Sequence, residues 1–343
     1  MRTIRVALIG FGNVGQGFTE IIRDRGEWYA DIFSLDIRIV AVTDLQFGAV
    51  YDPDGLDPDA LLSAIRNNRS FAGLDAEKPG WDAQTTIEKS NADVIAEISF
   101  TDLTTGEPAT SHIRQALENG KHVITTNKGP IALHFEELIQ LAQQNGVQIG
   151  YEGTVMSGTP ALHLGMDVLR SAGVQQIEGI LNGTTNYILT EMAKGLAYNA
   201  ALKQAQELGY AEADPRGDVE GHDAAAKVAI LCTVLMGKAI KPDQVECTGI
   251  AGLDQEQIQE ARQNEQCWKL IGSVEKTDEE VKASVKLKCL PLTHPFAAVN
   301  GATNAIHYTT DLLGEVTLIG PGAGRVETGM ALINDLILIF LRR

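Results

Sequence analysis

Apolar positions early in the chain come in short blocks. Residues 5–9 form an unbroken buried-type run, and the helical pattern that follows opens at Gly12. Further strand-like runs lie at 36–43, 94–98, 122–125 and 148–151, with a helix over 135–145 before the last of them. Buried strands alternating with helices predict the α/β class, a parallel sheet covered on both faces, over residues 1–150. Residues 45–92, rich in Asp, Pro, Gly and Asn, read as loops around one helix at 58–67. From 151 to 319 the pattern changes to helices at 160–171, 187–194, 200–208, 223–236 and 254–264, with strands at 175–180 and 280–290. That describes an α+β domain. A strand at 315–319, a glycine turn at 320–324 and a helix at 327–341 predict that residues 320–343 rejoin the first domain.

The turn after the first strand is Gly10-Phe11-Gly12-Asn13-Val14-Gly15. Between a buried strand and a helix, a GxGxxG turn lets the backbone approach a pyrophosphate and the helix pack on the strand. The first domain therefore reads as a Rossmann-type nucleotide-binding domain for NAD or NADP. The second strand ends at Asp44, an acidic residue placed to accept the ribose hydroxyls of NAD. A Lys or Arg from 45–92 would instead hold the 2′-phosphate of NADP, so both cofactors stay open.

Composition narrows the function. With 343 residues, 44% of them hydrophobic, the chain can build two packed cores. Its 28 Lys and Arg stand against 45 Asp and Glu, a net charge of −17, with no basic block to bind a phosphate backbone. Nucleic acid is not an expected partner. The first strand begins too early for a signal peptide, and no apolar run approaches the roughly 20 residues of a membrane span, so a cytoplasmic protein is expected. Cys232, Cys247, Cys267 and Cys289 lie far apart and read as buried thiols.

Candidate chemistry concentrates at 212–227. Asp223 and Lys227 stand one turn apart on one helical face, and residues 228–235 continue that helix with apolar side chains all round. A lysine anchored in such surroundings is costly unless it is used, although a plain surface ion pair has the same spacing. Oxidising a hydroxyl to an aldehyde needs a group to exchange the hydroxyl proton, and an amino-acid substrate needs carboxylates for its ammonium and donors for its carboxylate. Glu212, Asp218, Asp223 and Lys227 offer all of these within sixteen residues.

Several segments together resemble homoserine dehydrogenases: Thr125-Thr126-Asn127-Lys128, Tyr151-Glu152-Gly153-Thr154-Val155, Asn182-Gly183-Thr184-Thr185-Asn186-Tyr187-Ile188-Leu189, and Leu208-Gly209-Tyr210-Ala211-Glu212-Ala213-Asp214-Pro215 running on through Gly217 to Lys227. The matches keep their order between Gly10 and Gly324. The resemblance implies NAD(P)-dependent interconversion of L-homoserine and L-aspartate 4-semialdehyde, on the way to threonine and methionine.

It also implies roles. Lys227 exchanges the proton and Asp223 orients it, while Lys128, beside the nicotinamide, is a second candidate for the same task. Glu212, Asp218, Gly183, Thr184 and Tyr210 bind substrate, with Gly183 and Thr184 supplying backbone and hydroxyl hydrogen bonds. Ser99, Gly209 and Gly324 join Gly10, Gly12, Asn13, Val14, Gly15, Asp44 and Lys128 around the cofactor. Glu152, Val155, Ser157 and Thr159 form a monovalent cation site for sodium, and the stretch around His294 to Ile306 pairs subunits in a homodimer. The sequence departs from the family wording at 98–102, and Glu327 stands where many relatives carry proline. Relatives with an amino-acid-sensing extension have no counterpart here, so threonine feedback through such a module is not expected. The rival readings are another amino-acid dehydrogenase on this scaffold and a cofactor-binding sensor without catalysis.

Overall fold

A computed structural model of the chain describes residues 1–77, 80–277 and 280–341. The chain divides into two compact units, Met1–Gly158 with Gly324–Arg343, and Thr159–Ala323.

The first unit runs β1 (Arg2–Ile9), α1 (Asn13–Phe33), β2 (Leu35–Asp44), β3 (Gly48–Tyr51), α2 (Pro58–Asn68), α3 (Ala83–Lys89), β4 (Val94–Glu97), α4 (Ala109–Glu118), β5 (His122–Thr125), α5 (Lys128–Gln144), β6 (Ile149–Gly150) and α6 (Gly153–Met156). Its sheet has the order β3-β2-β1-β4-β5-β6, parallel except for the antiparallel edge pair β2 and β3. The strand alternation of β1 feeds two cores: Ile4, Val6 and Leu8 join one apolar cluster, Ala7 and Ile9 the other. Strand order reverses direction between β1 and β4, so their carboxyl ends frame the crevice where such sheets take ligands.

The second unit holds α7 (Ala161–His163), β7 (Val174–Ile180), α8 (Gly183–Ala193), α9 (Tyr198–Glu207), α10 (Arg216–Val219), α11 (His222–Met236), β8 (Glu246–Cys247), α12 (Gln255–Gln263), β9 (Gln266–Lys276), β10 (Val281–Pro291), β11 (Thr303–Thr310) and β12 (Gly314–Pro321). Its sheet order is β12-β11-β7-β9-β10-β8, antiparallel apart from the short pair β10 and β8. The chain then re-enters the first unit as α13 (Arg325–Leu341), whose Leu332, Leu336 and Phe340 join the core beneath α1.

The structure corrects several expectations. Residues 45–92 contain β3 and α3 besides the expected helix. The helix expected over 135–145 starts at Lys128, because the Gly129-Pro130 pair lies in its first turn, where proline gives up an N–H that has no intrahelical partner anyway. It breaks at His134, whose φ of −132° is not helical. The single helix expected at 160–171 is three short pieces: α7, a five-residue π-turn at Leu164–Val168 and a 3-10 turn at Arg170–Ala172. Strands β9 and β11 were not anticipated, since polar residues interrupt both apolar patterns. Of the four cysteines, Cys232 is buried and the others are partly exposed; all four are free thiols. Among the described residues no helix is long and apolar enough to cross a membrane.

Candidate active site

In the first unit the glycine turn joins β1 to α1. Gly10 adopts φ +103°, and a Cβ there would lie 2.6 Å from the Ile98 carbonyl oxygen, so the turn requires glycine twice over. Gly12 is the N-cap of the 21-residue α1 without a side-chain cap, and no atom stands within 4 Å of where its Cβ would be. Gly12 and Asn13 are exposed, Val14 is half-buried and Gly15 is buried against the turn. A long helix with uncapped first-turn N–H groups and open space before them fits a pyrophosphate.

Asp44, half-buried at the end of β2, has a structural task. One carboxylate oxygen accepts the Phe11 N–H at 2.8 Å and the other the N–H groups of Gln46 (2.8 Å) and Phe47 (3.1 Å), tying the glycine turn to the β2–β3 connection. That connection, Leu45, Gln46 and Phe47, carries no cation. Ser99 follows β4 and hydrogen-bonds Glu97. Half-buried Lys128 is the first residue of α5, which Asn127 caps by accepting the Gly129 N–H at 3.2 Å. Gly324 is exposed with φ +136°, just before α13, and Glu327 lies close against it in the first helical turn.

The second unit assembles the expected polar cluster around a residue the sequence did not single out. Lys227, 7% exposed on α11, donates to the Leu181 carbonyl at 2.7 Å and to Asp223 Oδ2 at 2.8 Å. Asn182 Nδ2 donates to the same Asp223 oxygen at 3.0 Å and to Asp218 Oδ1 at 2.7 Å, while its Oδ1 accepts the Thr185 N–H at 2.9 Å. One amide thus spaces two carboxylates and caps α8. Asn182 is the N-cap of α8, and an Asn just before a helix was the signal that would have found it. Burial pushes the Asp218 carboxyl above the usual aspartate range; Asn182 and Lys227 pull it back and Asp223 adds to the rise.

Of the other expected substrate residues, Thr184 adjoins this network, its side chain also helping to lower the Asp218 carboxyl. Half-buried Gly183 opens α8. Thr184, expected to offer its hydroxyl proton to substrate, spends it on the Tyr210 carbonyl at 2.6 Å. Tyr210 is 46% exposed, its ring tilted against Tyr187 at 5.0 Å between centroids, and Gly209 beside it ends α9 with φ +77°. Glu212 is exposed, and its carbonyl accepts Gln206 Nε2.

Glu152 (1% exposed), Val155 and Ser157 are buried around the four-residue α6 in the first unit, with Ser157 at φ +55° bonded to Thr328 Oγ1 at 2.8 Å. Thr159 opens the second unit, where its hydroxyl bonds the Pro321 carbonyl. Among the described residues no group of three His, Cys, Asp or Glu could hold a metal ion. Burial raises all four thiols, Cys232 to about 11, which argues against a nucleophilic cysteine.

Comparison with known proteins adds an independent line. Residues 10–152 match the family described as homoserine dehydrogenase, NAD binding domain, and residues 160–337 the family described as homoserine dehydrogenase. The chain is 45% identical to an NAD(+)-dependent homoserine dehydrogenase of Pseudomonas canavaninivorans over 338 residues, 98% of this chain and 96% of that protein. A hyperthermophilic archaeal homoserine dehydrogenase in complex with NADPH superposes with a TM-score of 0.84 at 29% identity, covering 100% and 99% of the two chains. A homoserine dehydrogenase from Thiobacillus denitrificans superposes at 0.85 with 30% identity, over 99% of this chain and 73% of that one.

Proposed function

The chain belongs to the homoserine dehydrogenase family, and from that premise we propose how its residues divide the work. The reaction is the reversible NAD(P)-dependent interconversion of L-homoserine and L-aspartate 4-semialdehyde. The bound nicotinamide supplies or takes the hydride.

The observation that carries the assignment is the Lys227, Asp223, Asn182, Asp218 network. Among the described residues two acceptors take two of the three Lys227 N–H donors, leaving one for substrate. In reduction Lys227 hands a proton to the aldehyde oxygen as hydride reaches carbon; in oxidation the same nitrogen takes the hydroxyl proton. Asp223 and the Leu181 carbonyl fix its position. Asp218 and Glu212 receive the substrate ammonium, and the first N–H groups of α8, at Gly183 and Thr184, receive its carboxylate. Lys128, in the first unit, is the second candidate for the same proton transfer.

Because Asp218 must be charged to hold an ammonium, protonation on acidification removes the interaction, and burial moves that loss above the usual aspartate range. The KM for homoserine is therefore expected to climb as pH falls toward mild acidity, and Asp218→Asn to flatten the profile at a high KM. A flat wild-type profile sinks the role of Asp218.

NAD is the proposed preferred cofactor. Asp44 ends β2, the turn after it has no cation for a 2′-phosphate, and the 45% identical relative is described as NAD(+)-dependent. Wild-type kcat/KM is expected to favour NAD over NADP by about tenfold or more, and Asp44→Ala to narrow the ratio mainly by weakening NAD. A wild-type preference for NADP contradicts this.

The residues around α6 favour a monovalent cation, with the Glu152 carboxylate and carbonyls at Val155 and Ser157 as hard oxygen ligands. Sodium chloride should then raise Tm above choline chloride at equal ionic strength, and Glu152→Gln should abolish the difference; equal wild-type Tm in the two salts removes the cation. The proposed assembly is a cytoplasmic homodimer, the subunit pairing carried by the second unit; a monomer in sedimentation equilibrium, or recovery outside the cytoplasmic fraction, overturns the corresponding part.

A further inference from the structure

The carboxyl end of β4 holds a carboxylate that none of these roles uses. Glu97 is fully buried (0% exposed), and among the described residues its Oε2 has no hydrogen-bond partner. Its Oε1 takes the Ser99 hydroxyl, the Ser99 N–H at 3.3 Å and His112 Nδ1, also at 3.3 Å. Burying a carboxyl group with one oxygen idle is costly, so the order it imposes must come from the other oxygen.

That order reaches two candidate cofactor elements in the first unit. The turn after Glu97 lies so close to Gly10 that a Cβ there would sit 2.6 Å from the Ile98 carbonyl oxygen and 3.1 Å from the Ser99 nitrogen. On its other side, Asn127 Nδ2 donates to the carbonyls of Ser99 (3.5 Å) and Phe100 (3.0 Å), and the same Asn127 caps α5, where Lys128 begins. Thr125 closes the loop: its hydroxyl donates to the Glu97 carbonyl at 2.7 Å and accepts the Asn127 N–H at 3.0 Å. With its proton committed to Glu97, the Ser99 hydroxyl can offer a ligand only its lone pairs.

We propose that Glu97 is a positioning residue for the nicotinamide cofactor, acting through Ser99 to fix the turn between Gly10 and Asn127. This rests on the reading of Ser99 as a cofactor contact. A tethered turn meets the nucleotide already ordered, and an untethered one must be ordered on binding.

The test is a titration of the purified full chain with NADH, followed by the fluorescence of the reduced nicotinamide, for wild type, Glu97→Gln, Ser99→Ala and the double variant, with Tm recorded for each. Losing the carboxylate acceptor should weaken NADH binding about fivefold in Glu97→Gln and at least as much in Ser99→Ala, which also removes the Ser99 contact, and the double variant should be no weaker than Ser99→Ala, because Glu97 acts only through Ser99. Tm of Glu97→Gln should stay near wild type, since the amide keeps an acceptor. Wild-type affinity in Glu97→Gln, or multiplied losses in the double variant, overturns the proposal while leaving the cofactor reading intact. A wild-type chain that binds neither NADH nor NADPH overturns both. If Glu97→Gln does not fold, Glu97→Asp, which keeps the charge and shortens the reach, takes its place in the cycle, with the same expectation and the same overturning results.

Discussion

Replacing Lys227 by alanine is expected to lower kcat about a thousandfold while changing the affinity for NADH by less than about twofold. The lysine is buried on α11, fixed by a carbonyl and a carboxylate that leave one N–H to act, and removing it deletes the proton exchange while the first-unit glycine turn is untouched. Lys128→Ala should also cost turnover more than nucleotide affinity. The comparison ranks the two lysines: the larger fall in kcat marks the proton carrier. Wild-type turnover in both variants contradicts the assignment of the proton carrier to either lysine.

Gly17→Ala should lower the stability of the first unit by about 3 kcal/mol, a Tm decrease of about 10 °C. Gly17 faces the start of α13, and a methyl there would overlap the Arg325 carbonyl oxygen; Gly329 on α13 meets the Phe18 nitrogen in the same way. The obstacle is backbone, so no rotamer change relieves it, and separating the helices disturbs the Arg325 to Glu20 ion pair (2.7 Å) as well as the core. Gly26→Ala is the control in the same helix. Nothing lies within 4 Å of its would-be Cβ, so it should gain helix propensity and leave Tm equal or higher. Equal losses in both variants contradict the close-packing account; thermal unfolding decides.

Legibility in the sequence followed how local each feature is. The dinucleotide turn is contiguous, strand then glycines then helix, and its chemistry is backbone chemistry, so six residues carried it. Asp223 and Lys227 were legible because four residues on a helix is a fixed geometry. Asn182 was not: its partners Asp218 and Asp223 lie 36 and 41 residues away, and an Asn-Gly pair looks like a turn until the helix behind it is known. Asp44 read as a ribose acceptor, yet its hold on the Phe11 N–H spans 33 residues and only the sheet brings the two together. Glu97 escaped notice for the same reason, a lone acid at a strand end whose burial comes from tertiary packing. Strands β9 and β11 were missed because their polar residues are satisfied within a sheet, and hydrophobic periodicity cannot see that.

The most direct test of the central claim is the initial rate of NAD and NADP reduction, followed by absorbance of the reduced nicotinamide, with L-homoserine against L-aspartate, L-malate and L-serine. The account predicts reduction with homoserine alone, faster with NAD, and lost in Lys227→Ala. No homoserine-dependent reduction with either nucleotide, together with no oxidation of reduced nucleotide when L-aspartate 4-semialdehyde is supplied, would contradict it.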